Sequence, residues 1–110
     1  MNAMNPSLVD WHGGNVVFWD WGTFDPAIDL RSQVKELKED LAQVEFSGRV
    51  VLDVGWYPEF SPDGEFLIAV AIDSDWETAI FEERHASVAG LFLGLARAVE
   101  AAVHASKGSP

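Results

Sequence analysis

Two rhythms of apolar residues divide the chain. The clearer one has a period of two. Val50, Leu52, Val54 and Trp56 alternate with Val51, Asp53, Gly55 and Tyr57, and Phe66, Ile68, Val70 and Ile72 alternate with Leu67, Ala69, Ala71 and Asp73. Such alternation marks strands with one bulky, buried face and one smaller, partly polar face. Pro58 to Gly64 separates the two runs with two prolines and an Asp-Gly pair, which stop a ladder and favour a turn. An antiparallel hairpin is predicted. A third strand is predicted over Trp76 to Glu83, after a turn at Asp73-Ser74-Asp75, with Trp76, Thr78 and Ile80 opposite in face to Glu77, Ala79 and Phe81.

The second rhythm is helical. Leu30, Val34, Leu37, Leu41 and Val44 recur every three or four residues, preceded by Asp25 as N-cap with Pro26 in the first helical position and followed by Gly48. A second helix is predicted from Ser87, its N-cap, to about Ala105, with Val88, Leu91, Phe92, Leu95, Val99, Ala102 and Val103 as its apolar stripe. Gly90, Gly94 and Ala98 stand four apart on that helix and allow close approach of the sheet, of the other helix or of a second copy. Upstream, Leu8 to Trp11 and Val16 to Trp21 flank His12-Gly13-Gly14-Asn15, which reads as a hairpin turn.

The element order is therefore β(β)-α-β-β-β-α. The fold expected is α+β, a two-layer sandwich of four to five antiparallel strands with two helices on one face, its outer sheet face left to solvent or a partner. Residues 8 to 105 are expected to form one domain between flexible termini at 1 to 7 and 106 to 110.

Charge changes the picture from fold to partner. The formal net charge is −11, yet 48% of residues are hydrophobic, so the acidity is carried by a folded core and not by a disordered tail. Its distribution is uneven. The 34 residues between Arg49 and Arg84 contain no Lys or Arg but carry Asp53, Glu59, Asp63, Glu65, Asp73, Asp75, Glu77, Glu82 and Glu83, interspersed with Trp56, Tyr57 and Trp76. Such a surface repels nucleic acid and attracts a basic protein. The absence of Cys removes thiolate catalysis, disulfides and Cys-ligated metal sites. The start of the chain lacks the pattern of a signal peptide, and no apolar run approaches membrane-spanning length, so a cytoplasmic protein is expected.

Catalytic patterns are weak. His12, His85 and His104 stand alone, outside any His-x-x-x-His or Glu-x-x-His spacing, and no nucleophile elbow, phosphate loop or dinucleotide fingerprint is present. Asp73 and Asp75, joined by Asp53 if the strands align, form a candidate cation or metal-assisted hydrolase site, although Asp-Ser-Asp is more commonly the chemistry of a turn. No cofactor is expected. Trp76, between Asp75 and Glu77, combines a ring for cation–π contact with carboxylates for Arg or Lys, the composition of an interface hot spot.

The run Leu52-Asp53-Val54-Gly55-Trp56-Tyr57-Pro58-Glu59, then Asp63-Gly64-Glu65-Phe66 and Asp73-Ser74-Asp75-Trp76-Glu77, resembles small immunity proteins of bacterial polymorphic toxin systems, including contact-dependent growth inhibition. The resemblance covers roughly residues 50 to 105. It implies a cytosolic antitoxin, not an enzyme, that binds one cognate basic toxin domain, often a nuclease, and occludes its active site. The partner-binding residues expected are Asp53, Glu59, Asp63, Asp73, Asp75, Trp76 and Glu77, in a monomer or weak homodimer. The alternative is an acidic nucleic-acid mimic or adaptor for another basic protein.

Overall fold

The computed structural model describes residues 3 to 107. Strands β1 (Asn15–Trp19), β2 (Ala42–Phe46), β3 (Val50–Tyr57), β4 (Glu65–Ile72) and β5 (Phe81–His85) precede helix α1 (Val88–Lys107). Short 3-10 helices lie at Pro6–Leu8 and Leu30–Glu36. The strands form one open antiparallel sheet in the order β1-β2-β3-β4-β5, so the architecture is α+β.

The hairpin expected at the centre of the sheet is present. β3 and β4 pair from Val50↔Ile72 to Tyr57↔Glu65, and Leu52, Val54, Trp56, Phe66, Ile68 and Val70 on the inner face are fully buried. The Trp56 indole N–H, which would be costly to leave unmet, donates to the Ser61 carbonyl at 2.9 Å. α1 covers this face with Leu91, Leu95, Ala98, Val99 and Ala102. Burying each large side chain such as Leu91 contributes about 1.5–3 kcal/mol relative to exposure.

The helix predicted from Asp25 to Val44 does not form. Asp25 instead accepts from the Ala27 N–H at 2.8 Å in a local turn, and Gln33 bonds both backbone groups of Asp25, closing a compact loop. The 3-10 turn ends when the Leu37 N–H reaches the Val34 carbonyl, and the following carbonyls, of Leu37 and Lys38, accept from Phe60 and Trp56. Leu37, Leu41 and Val44 are buried as the helical stripe required, but from an extended chain. Spacings of three and four at five positions fit a helix. The stretch Ala42-Gln43-Val44 fits a strand equally well, and pairing with β3 from Ala42↔Val54 to Phe46↔Val50 decides between them.

Two boundaries move for similar reasons. β1 pairs with β2 and not with residues 8 to 11, so the N-terminal hairpin is absent, and Val17 forms a bulge between the paired residues Val16 and Phe18. The third predicted strand begins five residues late, at Phe81, because Asp75 binds the backbone and hydroxyl of Thr78 and holds residues 75 to 78 in a turn. The leader expected to be loose reaches inward: Met4 is buried, and its carbonyl accepts from the Trp19 indole at 3.0 Å. The expectation for residues 1, 2 and 108 to 110 lies outside the described residues.

α1 was expected to end near Ala105 and continues to Lys107. Ser87 caps it, its hydroxyl accepting from the Gly90 N–H at 3.0 Å. By length and composition α1 is apolar enough to cross a membrane, which corrects the expectation that no segment approaches that length, but a third of it is buried in the fold. Its glycines face the chain's own sheet. A Cβ on Gly94 would stand 2.6 Å from Ile68 Cδ1, and one on Gly90 would stand 2.7 Å from His85 Nδ1, so the sheet occupies the face considered for a helix–helix dimer.

An ionic clasp fastens this layer. Arg97 of α1 donates to both carboxylate oxygens of Glu83 on β5, at 2.7 and 2.6 Å, and His85 bonds the same carboxylate at 2.8 Å. These partners hold the Glu83 carboxyl down to about 2 from an ordinary 4.5, with the Arg97 hydrogen bonds the largest cause. A carboxyl depressed by folding adds stability that is complete above its unfolded value and is lost as pH falls through the folded one. Urea unfolding between pH 5 and pH 2 should therefore show a shallower loss of stability for Glu83→Gln than for the parent chain; parallel profiles would show that the clasp contributes nothing.

Candidate functional site

With α1 on one side, the opposite sheet face is uncovered by any helix. Register places Phe18, Gln43, Asp53, Ala69 and Glu82 in one row across that face, with Gly55, Leu67 and Arg84 in the adjacent row on the central and β5 strands. Alternation explains the composition, since every second residue of β3 and β4 had to leave the core.

One departure from regularity turns the row into a site. The Leu41 N–H donates to the Val54 carbonyl and the Trp56 N–H to the Lys38 carbonyl, and between these bonds Glu39 and Asp40 arch over β3. The Glu39 carbonyl occupies the place where a side chain at position 55 would begin, so only glycine fits. Asp40 is thereby added to the outer face. The Asp73 to Ile80 excursion brings Trp76 to the same place.

The result is a concavity of about 310 Å³ lined by Asp40, Gln43, Asp53, Tyr57, Leu67, Ala69, Trp76 and Glu82. Leu67 and Ala69 provide apolar surface, Trp76 and Tyr57 aromatic rings, and three carboxylates provide charge. Gln43 donates to Asp53 at 3.0 Å. Burial pushes the Asp53 carboxyl up, the Gln43 hydrogen bond opposes this, and the charge of Asp40 pushes it up further. The Tyr57 phenol is also raised, first by burial and then by Asp53, Asp40 and Glu39, with Arg84 opposing. Negative potential concentrates here.

Trp76 is exposed, unlike the other four tryptophans. Trp11, Trp19, Trp21 and Trp56 belong to the inner aromatic cluster, where Trp19 and Trp21 lie 5.8 Å apart and Trp56 meets Phe66 edge-on at 4.8 Å.

Of the seven residues expected to bind a partner, the structure brings Asp53 and Trp76 together in the concavity. Glu59 lies in the β3–β4 turn and accepts from the Glu39 N–H at 3.4 Å. Asp63 is exposed and 3.7 Å from Arg31. Asp73, in the left-handed region with φ 56°, pairs with Arg49 at 3.0 Å, and Asp75 is engaged by Thr78. Glu77 is exposed in that excursion.

Strand register also dissolves the proposed cation cluster. Asp53 stands opposite Ala69, whereas Asp73 lies beyond the Val50↔Ile72 end of the hairpin, roughly 13 Å along the strand at about 3.3 Å per residue. Among the described residues no group of three or more His, Cys, Asp or Glu side chains is placed to hold a metal ion.

Asp40, Gln43, Tyr57, Leu67, Ala69 and Glu82 were missed as site residues. The shared face of Asp53 and Tyr57, opposite Leu67 and Ala69, was present in the period-two pattern. Asp40 and Gln43 were hidden by the helical assignment. Comparison with known proteins returned no matching family model, no matching curated protein and no matching solved structure.

The arch makes a direct prediction. Gly55→Ala should destabilise the fold by about 1–3 kcal/mol, as overpacking against backbone does. Urea denaturation measures this, and an unchanged midpoint would show that residues 39 and 40 do not lie over β3 in solution.

Proposed function

We propose that this protein is a binding module of the immunity type, a cytosolic antitoxin that docks its outer sheet face on a basic toxin domain, such as a nuclease, and occludes its active site. One observation carries the reading. The sheet face left open by α1 holds the acidic, aromatic concavity and the one exposed tryptophan. The resemblance of residues 50 to 105 to immunity proteins supports the same partner class.

Each component has a physical role in such a complex. The net charge of −11 raises the encounter rate with a positive cleft. Desolvation of Trp76 and Tyr57 at the centre of the contact then slows dissociation, since a few buried aromatic anchors dominate most interfaces. A nuclease cleft is lined to receive phosphates, and carboxylates presented on a rigid sheet take their place. The separate turns carrying Glu59, Asp63, Asp73, Asp75 and Glu77 surround this centre in the proposal as a charged rim.

The test is co-expression with the toxin domain encoded beside this chain. Growth should be rescued, and the complex should weaken steeply as salt rises. A neighbouring gene with no toxin domain, or a toxin that kills despite co-expression, would sink the reading.

A further inference from the structure

Charge pairing across the protein leaves the concavity short of a cation. Lys38 pairs with Asp20 at 2.9 Å, Arg49 with Asp73 at 3.0 Å, Arg31 with Asp63 at 3.7 Å, and Arg97 with Glu83. Arg84 stands at the margin, 3.8 Å from Glu82 and 3.7 Å from Glu65. Asp40 and Asp53 form no ion pair with any described residue, although Asp53 is partly buried and lies within Asp40's field. Folding has gathered two carboxylates without an ion pair on the outer sheet face, where the neighbouring cation, Arg84, is shared between Glu65 and Glu82.

We infer that the concavity is a receptor for one arginine side chain of the protein partner, its guanidinium held by Asp53 and Asp40 against the rings of Trp76 and Tyr57. The inference rests on the reading of the outer face as the interface and names what that face selects. Its parts match arginine in three ways. Carboxylates accept the guanidinium's parallel N–H donors, aromatic rings receive its flat face, and Leu67 and Ala69 shelter its methylene stem. Lysine brings a compact ammonium that holds its water more tightly and lacks the planar fork, so it fits a half-buried, ring-lined site less well. A hard divalent cation needs more oxygen ligands than are gathered here.

Acetyl-Gly-Arg-Gly-amide, its lysine counterpart and its neutral citrulline counterpart are titrated into the full chain, followed by the Trp76 indole N–H and the amides of Asp53, Leu67 and Ala69. The arginine peptide should shift these signals saturably and bind about tenfold tighter than the lysine peptide, with citrulline weaker still. Trp76→Ala and Asp53→Asn should each weaken it by about tenfold, while Asp63→Asn, outside the concavity, should have no effect. Asp40→Asn, at an exposed position, serves as the second variant should either of the first two unfold. Equal affinity for arginine and lysine, shifts spread over the acidic surface, or indifference to these variants would overturn the inference. Rescue separates it from the wider reading: a Trp76→Ala/Asp53→Asn chain that still protects cells at full strength removes the arginine receptor and leaves the antitoxin. An arginine-selective chain that never protects removes the antitoxin and leaves the receptor.

Discussion

The close seating of α1 on the sheet is the contact on which the rest of the molecule depends. Gly90 and Gly94 bring the helix backbone against His85 and Ile68, where side chains on the helix would have held it away. Gly94, in the helix interior, costs about 1 kcal/mol relative to alanine, and the buried layer of Leu91, Leu95 and Val99 on Leu52, Ile68 and Val70 offsets that. Arg97 and Glu83 then fasten helix to edge strand. Because this helix and the N-terminal segment serve the same face, the other face of the five-stranded sheet has no helix over it. Its openness follows from how the core is closed.

What the open face became depends on a second close approach. Gly55 admits the Glu39 carbonyl over β3, and the arch leaves Asp40 beside Asp53 and Tyr57. The excursion after β4 supplies Trp76 from the other direction. Carboxylates and rings from four separate segments meet over a floor of Leu67 and Ala69. Acidity that is diffuse along the chain is focused here, where partial burial lowers the local dielectric and makes each charge act further. That concentration is the feature on which the proposed basic protein partner rests.

Legibility in the sequence followed the strength of each local pattern. The β3–β4 hairpin was readable because eight-residue alternations admit one buried face, and α1 because Ser87 and a stripe of seven apolar positions admit one helix. Residues 25 to 46 read as helix because five apolar positions share a helical spacing, while the competing strand alternation of Ala42, Val44 and Phe46 is only five residues long. The turn at Asp73-Ser74-Asp75 is legible in its residue types, but Asp75 extends it by binding Thr78, so the alternation from Trp76 to Ile80 does not become strand. In the site, Asp53 and Trp76 were identified from composition, while Asp40, Gln43 and Glu82 depended on which strands became neighbours.

The amino-acid sequence by itself determined the central hairpin, the C-terminal helix, the acidity of the middle segment and the presence of tryptophan within it. These are local properties, carried by spacing and residue type over fewer than twenty positions. Tertiary structure alone decided that Ala42 to Phe46 is a strand, that four tryptophans turn inward and one stays out, and that Asp40 and Asp53 line one concavity. Each of those outcomes rests on a partner in another segment: β3 for β2, Phe66 for Trp21 and Trp56, Gly55 for the Glu39 arch. A hydrogen bond or a packed ring contributes only when both sides are in place, and the spacing within one segment does not say which other segment supplies the second side.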